Sequence, residues 1–421
     1  MNSINRQVKY AGMAAIALTM LAAVVILAGI AIPAQAQTET LLHQFAGSPD
    51  GANPSAGPVL KGTTLYGTTY EGGGASGSGD TGYGIVYAVN TTTGKETILH
   101  IFTANTQPPY DGTEPLGGVV FDAHGNLYGT TAGGGLYDGE GYGTIYKIAK
   151  SGKQYVETVL YAFSGGLDGA NPWYGTLVFD KAGNLYGTTV GGGYYGNGAV
   201  FELAPSGTLT TLHSFYQAGG DGYNPDSGVA LDTKGNIYGA APGGGAYGYG
   251  VLYEITAAGQ YSILYNFTGG TDGSTPRSAL VYKGGKLYGT AQAGGAGCTW
   301  GCGVIFEYTL AKGKKAGKET VLHIFNGTDG LYPLYGALVF DKLGNIYGTT
   351  SDGGPTNLGN VYELAPDGTI TTLYNFDDEP DGSTPFGGVV LDTKGNVYTT
   401  GAYGGNNGGE YGGGTVIKIT P

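Results

Sequence analysis

The motif Asp-Gly-x-x-Pro occurs seven times in this chain, starting at Asp50, Asp111, Asp168, Asp221, Asp272, Asp329 and Asp381. No other feature constrains the fold as strongly. Successive copies lie 61, 57, 53, 51, 57 and 52 residues apart. A period of this length marks one supersecondary unit written in series, because a single copy is too small to bury its own apolar face. A second signature follows each copy: LYGTT at 65–69, 127–131 and 185–189, IYGAA at 237–241, LYGTA at 287–291, IYGTT at 346–350 and VYTT at 397–400.

Each unit reads as four short strands. In the third, GTLVFD (175–180) and NLYGTT (184–189) flank the turn Lys181-Ala182-Gly183, and GAVFEL (198–203) and TLTTLHSF (208–215) flank Ala204-Pro205-Ser206-Gly207. Branched and aromatic residues in short runs, bounded by Gly, Asn, Asp and Pro, are strand and hairpin signals. Nothing after residue 36 carries a sustained helical period. The fold expected is all-β: a seven-bladed β-propeller of four-stranded antiparallel blades. The last unit supplies only three strands, and TETLLHQF (38–45) matches the missing fourth, so the N-terminal strand is expected to close the last blade and remove an open edge. The glycine cluster in DKAGNLYGTTVGGG (180–193) is then a blade loop. It has neither the following helix nor the Lys-Ser/Thr ending of a phosphate loop, and it returns in every unit.

The combination of DGxxP, GNLYGTT and a glycine-rich loop resembles the Gloeo/Verruco (GloVer) tandem repeat of bacterial exported proteins, the "choice-of-anchor" type, across all seven units. That resemblance carries no established activity. Members of the anchored kind end in a sorting tail, whereas this sequence ends at Pro421 directly after a strand.

Residues 1–36 read as a signal peptide, with Arg6 and Lys9 before an apolar run and Ala34-Gln35-Ala36 as the small-x-small site. Cleavage near Ala36/Gln37 predicts a secreted, periplasmic or cell-surface protein in which residues 37–421 form a single propeller domain. The apolar run is also long enough for a retained anchor; no later segment could span a bilayer. After residue 36 there are 16 Lys and one Arg (Arg277) against 32 acids, a net charge of −15 that excludes the basic stripes of a nucleic-acid binder. Cys298 and Cys302, in CTWGC, are expected to form a local disulfide in an oxidising compartment. The expected state is a monomer.

Residues present in every unit are read as scaffold. Asp122, Asp180, Asp232, Asp341 and Asp392 precede x-x-Gly-Asn turns, where a carboxylate accepts backbone N–H bonds. The tyrosine of LYGTT is expected to pack between blades with its hydroxyl satisfied. His43, His100, His213 and His323 share a column with Tyr161, Tyr265 and Tyr374, which argues against a catalytic base. No nucleophile–base pair stands out, so no catalytic residue is assigned. The DGxxP aspartates read as turn chemistry and no metal ligand set is assigned, with calcium in individual loops as a lesser expectation; no cofactor is expected.

Departures from the repeat mark the candidate site. Propeller topology puts the DGxxP and glycine-rich loops on one face, with eighteen of the acids, both tryptophans, many tyrosines and a single cation, Arg277. Aromatic rings offer platforms to sugar rings, and carboxylates accept hydroxyl bonds. The expected ligand site is Trp173, Tyr174, Tyr194, Arg277, Trp300, Glu114 and Asp226, over or beside the central channel. The function read from this is a binding or interaction module for a glycan or a cell-surface protein. One alternative is a polysaccharide-active lyase or glycoside hydrolase using carboxylates of the same face, among Glu71, Glu114, Glu140, Asp226 and Glu410. A structural envelope or matrix component is the second.

Overall fold

A computed structural model describes residues 37–74, 82–103, 111–135, 141–296, 298, 301–313, 315–406 and 412–420. Every regular element among them is a strand. Seven four-stranded antiparallel sheets form the seven blades of a propeller. Blade 1 consists of Val59–Lys61, Thr64–Thr69, Ile85–Asn90 and Glu96–Ile101. Blades 2 to 6 follow the same order over 120–162, 178–214, 230–266, 281–324 and 339–375. Blade 7 takes Val390–Leu391, Val397–Gly401 and Thr415–Thr420 from the end of the chain, and Thr38–Gln44 from its beginning as the outer strand. The expected closure is therefore present.

The repeat signatures each have a packing reason. The glycine of LYGTT lies opposite an aromatic residue of the third strand, as Gly67 lies opposite Tyr87. A Cβ added at Gly67 would stand 2.5 Å from that tyrosine's hydroxyl, so no side chain fits. Blade 7 has Thr399 at this position, and the residue opposite is Ile417, which leaves the room. The phenylalanine closing each outer strand is fully buried at the seam to the next blade. Phe45, Phe102, Phe163, Phe215, Phe267 and Phe325 each meet a third-strand aromatic of the next blade edge-on, at 5.0 to 5.3 Å. Such edge contacts add to what burial alone contributes.

The LYGTT tyrosine packs across seams, Tyr66 on Phe121 and Tyr128 on Phe179. In five blades its hydroxyl donates to the turn aspartate, as Tyr186 does to Asp180 at 3.2 Å. Asp180 also accepts the N–H groups of Ala182 and Asn184. Burial alone would raise its carboxyl; these bonds hold it below its ordinary value.

A latch joins each DGxxP aspartate to the outer strand before it. Asp221 accepts from the Tyr216 and Gly222 N–H groups and sits 3.0 Å from His213 Nε2. Asp168, Asp272 and Asp381 meet Tyr161, Tyr265 and Tyr374 hydroxyls instead. The His/Tyr column is thus a hydrogen-bonding column, and the seven aspartates are tied into loops rather than free on the surface. Each DGxxP loop also pairs with the glycine-rich loop of its own blade, as Gly222–Tyr223 pairs with Gly243–Gly244 and Ala170 with Gly191. The two loop sets share one face as expected. Cys298 and Cys302 are disulfide-bonded. No helix among the described residues is long and apolar enough to cross a membrane.

Candidate functional site

The chain enters each blade through the proline of DGxxP, and the residues on its two sides behave oppositely. The preceding residue has a left-handed backbone in all seven blades, with φ between 53° and 61° at Asn53, Glu114, Asn171, Asn224, Thr275, Tyr332 and Thr384. Only Asn among these types tolerates that region easily. Its N–H bonds the previous blade, as Asn171 N–H does to Tyr142 O at 2.8 Å. Its carbonyl accepts from its own blade, as Asn171 O does from Val190 N–H at 3.1 Å. The N–H bond repeats in all seven blades and the carbonyl bond in six, and together they over-determine the strained conformation.

The residue after the proline varies: Ser55, Leu116, Trp173, Asp226, Arg277, Leu334 and Phe386. Trp173, Asp226 and Arg277 belong to consecutive blades and line one cavity of about 340 Å³ with Val190, Tyr223, Asn224, Pro242, Gly243 and Thr275. Arg277 Nη1 bonds the Asp226 carboxylate and the Tyr335 hydroxyl, the latter at 3.2 Å. Asp226 is 2% exposed. Burial pushes its carboxyl up to about 7, against the downward pull of the guanidinium. Two buried atoms of the pair, Asp226 Oδ1 and Arg277 Nε, make no hydrogen bond. Trp173 is 38% exposed. Pro242 stands where other blades place the N–H that bonds the pre-proline carbonyl, so Asn224 cannot form that bond.

The axis beside this cavity is plugged. Tyr174 of blade 3 stacks on Tyr335 of blade 6 across the ring, with centroids 3.6 Å apart and planes 10° apart. Trp173 meets Tyr174 edge-on at 6.4 Å, and Phe386 meets Tyr335 at 6.4 Å and Tyr403 at 5.8 Å. Burial pushes the Tyr174 hydroxyl far above its usual range, so it stays neutral. Below the plug the inner segments meet backbone to backbone. A Cβ on Gly57 would stand 2.7 Å from Gly388 O, which explains why this column is almost all glycine. The site is beside the axis; it is not an open channel.

The other predicted residues fall elsewhere. Glu114 lies near Glu71 on the side of blades 1 and 2, and burial, then the Glu71 carboxylate, push its carboxyl up. The same two acids and Tyr403 act on Tyr70. Tyr194 is 71% exposed on a glycine-rich loop and packs on Tyr195, which leans on Tyr216. Trp300, Glu140 and Glu410 lie outside the described residues. The structure therefore brings Trp173, Arg277 and Asp226 together, puts Tyr174 in the adjoining plug, and leaves Glu114 and Tyr194 apart. Asn224, Thr275 and Pro242 were missed by sequence reasoning; Pro242 was visible as the proline that interrupts the TTxGGG pattern. A larger cavity of about 950 Å³ opens on the opposite face, lined by turns such as Asp122–Asn126 and Ala204–Gly207. A smaller counterpart recurs between blades 5 and 6, lined by Phe340, Gly344 and Pro366. Repetition of the same turn residues marks these as gaps between blades.

Fold and cavity together define a repeat-built propeller with an asymmetric pocket on its long-loop face. The chain belongs to the Gloeobacter/Verrucomicrobia repeat family, which matches residues 74–300 and 296–421. No curated protein sequence matches it. Solved structures that it resembles include a streptogramin B lyase, 13% identical over 91% of this chain and 97% of that one, with a TM-score of 0.56. Virginiamycin B lyase from Staphylococcus aureus is 12% identical over 91% and 99%, with a TM-score of 0.54. A fungal alcohol oxidase solved with copper is 17% identical over 91% and 76%, with a TM-score of 0.55. At these identities the likeness is one of fold.

Proposed function

We propose that the protein is an exported binding module that holds a neutral glycan in the pocket of Trp173, Asp226 and Arg277. The observation that carries this reading is the meeting of Trp173 with the Asp226–Arg277 pair in one cavity. The pair also keeps one donor, Arg277 Nε, and one acceptor, Asp226 Oδ1, buried and without hydrogen bonds. A sugar diol supplies one acceptor and one donor to such a pair, whereas a carboxylate supplies acceptors only. The guanidinium is bonded to Asp226 and Tyr335, so it is engaged within the wall rather than presented alone to an acidic ligand. Trp173 adds an apolar ring for the sugar face, and about 340 Å³ is ordinary for a small-ligand site.

A second reading is a glycan-cleaving enzyme, favoured by the Asp226 carboxyl near 7 and by the Glu71/Glu114 pair. Its weakness is placement: neither glutamate lines the cavity. The test is a glycan array followed by calorimetric titration of the ligands found. Trp173→Ala should weaken binding at least tenfold while the variant still unfolds in one cooperative transition. Binding unaffected by Trp173→Ala would refute the assignment, and turnover of the bound glycan that is lost in Asp226→Asn would replace it with the enzyme reading.

A further inference from the structure

We propose that two adjacent seams between blades each bind one divalent first-row transition ion of the zinc class, through His43, Asp50 and Glu96 and through His100, Asp111 and Glu157. In the first triad His43 Nε2 lies 3.4 Å from Asp50 Oδ2 and 3.8 Å from Glu96 Oε2. In the second, His100 Nε2 lies 3.3 Å from Asp111 Oδ2. Within each triad, one ligand atom per residue falls inside 4.8 Å of the others. Zinc bonds imidazole nitrogen and carboxylate oxygen at about 2.0–2.2 Å, which sets ligand atoms roughly 3.3 Å apart in a tetrahedron. The triads need only a small contraction to reach that spacing.

Comparison around the ring gives an independent argument. Every seam has the same three positions: a His or Tyr of one outer strand, the DGxxP aspartate, and a residue of the next blade's outer strand. The scaffold does not demand the triad, because the third position is Leu209 beside Tyr161–Asp168 and Ile370 beside His323–Asp329. Between blades 3 and 4 it is Tyr261, whose hydroxyl donates to Asp221 at 2.5 Å and completes the network without a metal. Glutamate fills it at four seams, at Glu96, Glu157, Glu319 and Glu39, but only at the two triads does a histidine stand beside it. A buried glutamate oxygen without a hydrogen bond recurs at all four of these seams, Glu39, Glu96, Glu157 and Glu319 Oε1; the triads add to it an imidazole nitrogen within 4.8 Å of both carboxylates. A mixed nitrogen and carboxylate set suits zinc and its neighbours, whereas calcium prefers six to eight oxygens. The first metal would tie the N-terminal strand, the outer strand of blade 7, to the outer strand of blade 1, and the second would tie blade 1 to blade 2.

The test uses the untagged protein, stripped with chelator and dialysed against Zn²⁺. Two equivalents are expected, falling to one in Glu96→Gln and in Glu157→Gln and to none in the double variant, while Glu319→Gln keeps two. Zn²⁺ should raise the melting temperature of the wild type and leave that of the double variant unmoved. Excess Ca²⁺ should displace none of it, and Co²⁺ should give visible absorption that both single variants halve. Fewer than two equivalents in the wild type, a stoichiometry unchanged in the folded double variant, or displacement by Ca²⁺ would each overturn the proposal. Thermal melts of the metal-free variants establish that they are folded.

Discussion

The residues on either side of the DGxxP proline are one position apart from being neighbours, yet they obey different rules. Before the proline, four residue types share one backbone conformation and the same bonds to the previous blade. After it, six types occupy seven equivalent positions, and three of them, in consecutive blades, line one pocket. Sevenfold repetition fixes the first column because each copy holds a seam together. The second column is free of that duty and can carry chemistry. In a repeat protein, departures from the repeat therefore say more about function than the repeat itself.

The comparison is broken most severely by removing the cation from the variable column. In Arg277→Met, Asp226 stays buried without its counter-charge, and the expected loss is about 3 kcal/mol near pH 8. The folded carboxyl already sits at about 7, above the roughly 3.9 of an unfolded aspartate. Between those values the folded state holds the extra proton, so stability falls as pH rises through that window. Removing Arg277 raises the folded value further and deepens the fall. Melts at pH 5 and pH 8 should show a larger deficit at pH 8; an equal deficit at both would mean that Asp226 does not rely on Arg277.

The invariant column breaks differently. Asn171→Val puts a branched side chain at φ 55° and removes the amide that donates to Ala132 O at 2.8 Å. Together these should cost about 2 kcal/mol in denaturant melts, while the glycan affinity stays within twofold because Asn171 does not line the pocket. A matched loss of affinity would merge the two columns into one.

A smaller effect separates the seams. Burial, then the Asp272 carboxylate, raise the Glu319 carboxyl to about 7. With a folded value above the unfolded one, it contributes a stability that declines from about pH 4.5 to pH 7. The group is partly solvated, so screening limits the change to about 1 kcal/mol. Glu319→Gln should flatten the pH profile of stability by that amount between pH 5 and pH 8, and an unchanged slope would show that Glu319 is ionised in the folded protein.

Blade number, strand order and closure were legible because each rests on a pattern copied seven times: the Asp–Gly turn, the Leu–Tyr strand and the Phe that ends each unit. Trp173, Asp226 and Arg277 were legible as deviations, although their meeting was not, since it depends on three consecutive blades presenting one column toward the axis. Tyr335 shows where sequence reasoning stops. Its position was evident, but its stack on Tyr174 crosses the ring between blades 3 and 6, and no local pattern encodes a contact of that range. The seam glutamates were hidden for a related reason. Glu96 and Glu157 sit on strands whose alternation reads as ordinary surface, and only the packing of the next blade brings them to His43 and His100.

The largest change in function should come from the exposed ring of the variable column. Trp173 is 38% exposed and packs edge-on against Tyr174, so Trp173→Ala gives up more than half of a large ring's surface and should cost about 2–4 kcal/mol. Its backbone bonds, and those of Asn171 before it, are unaffected by the truncation. The same variant should lose at least tenfold in glycan affinity. Asn171→Val and Trp173→Ala thus form a pair only two residues apart: both reduce stability, and only the second reduces binding. Titration and melting of both variants, in the same buffer, decide whether the proline divides scaffold from site.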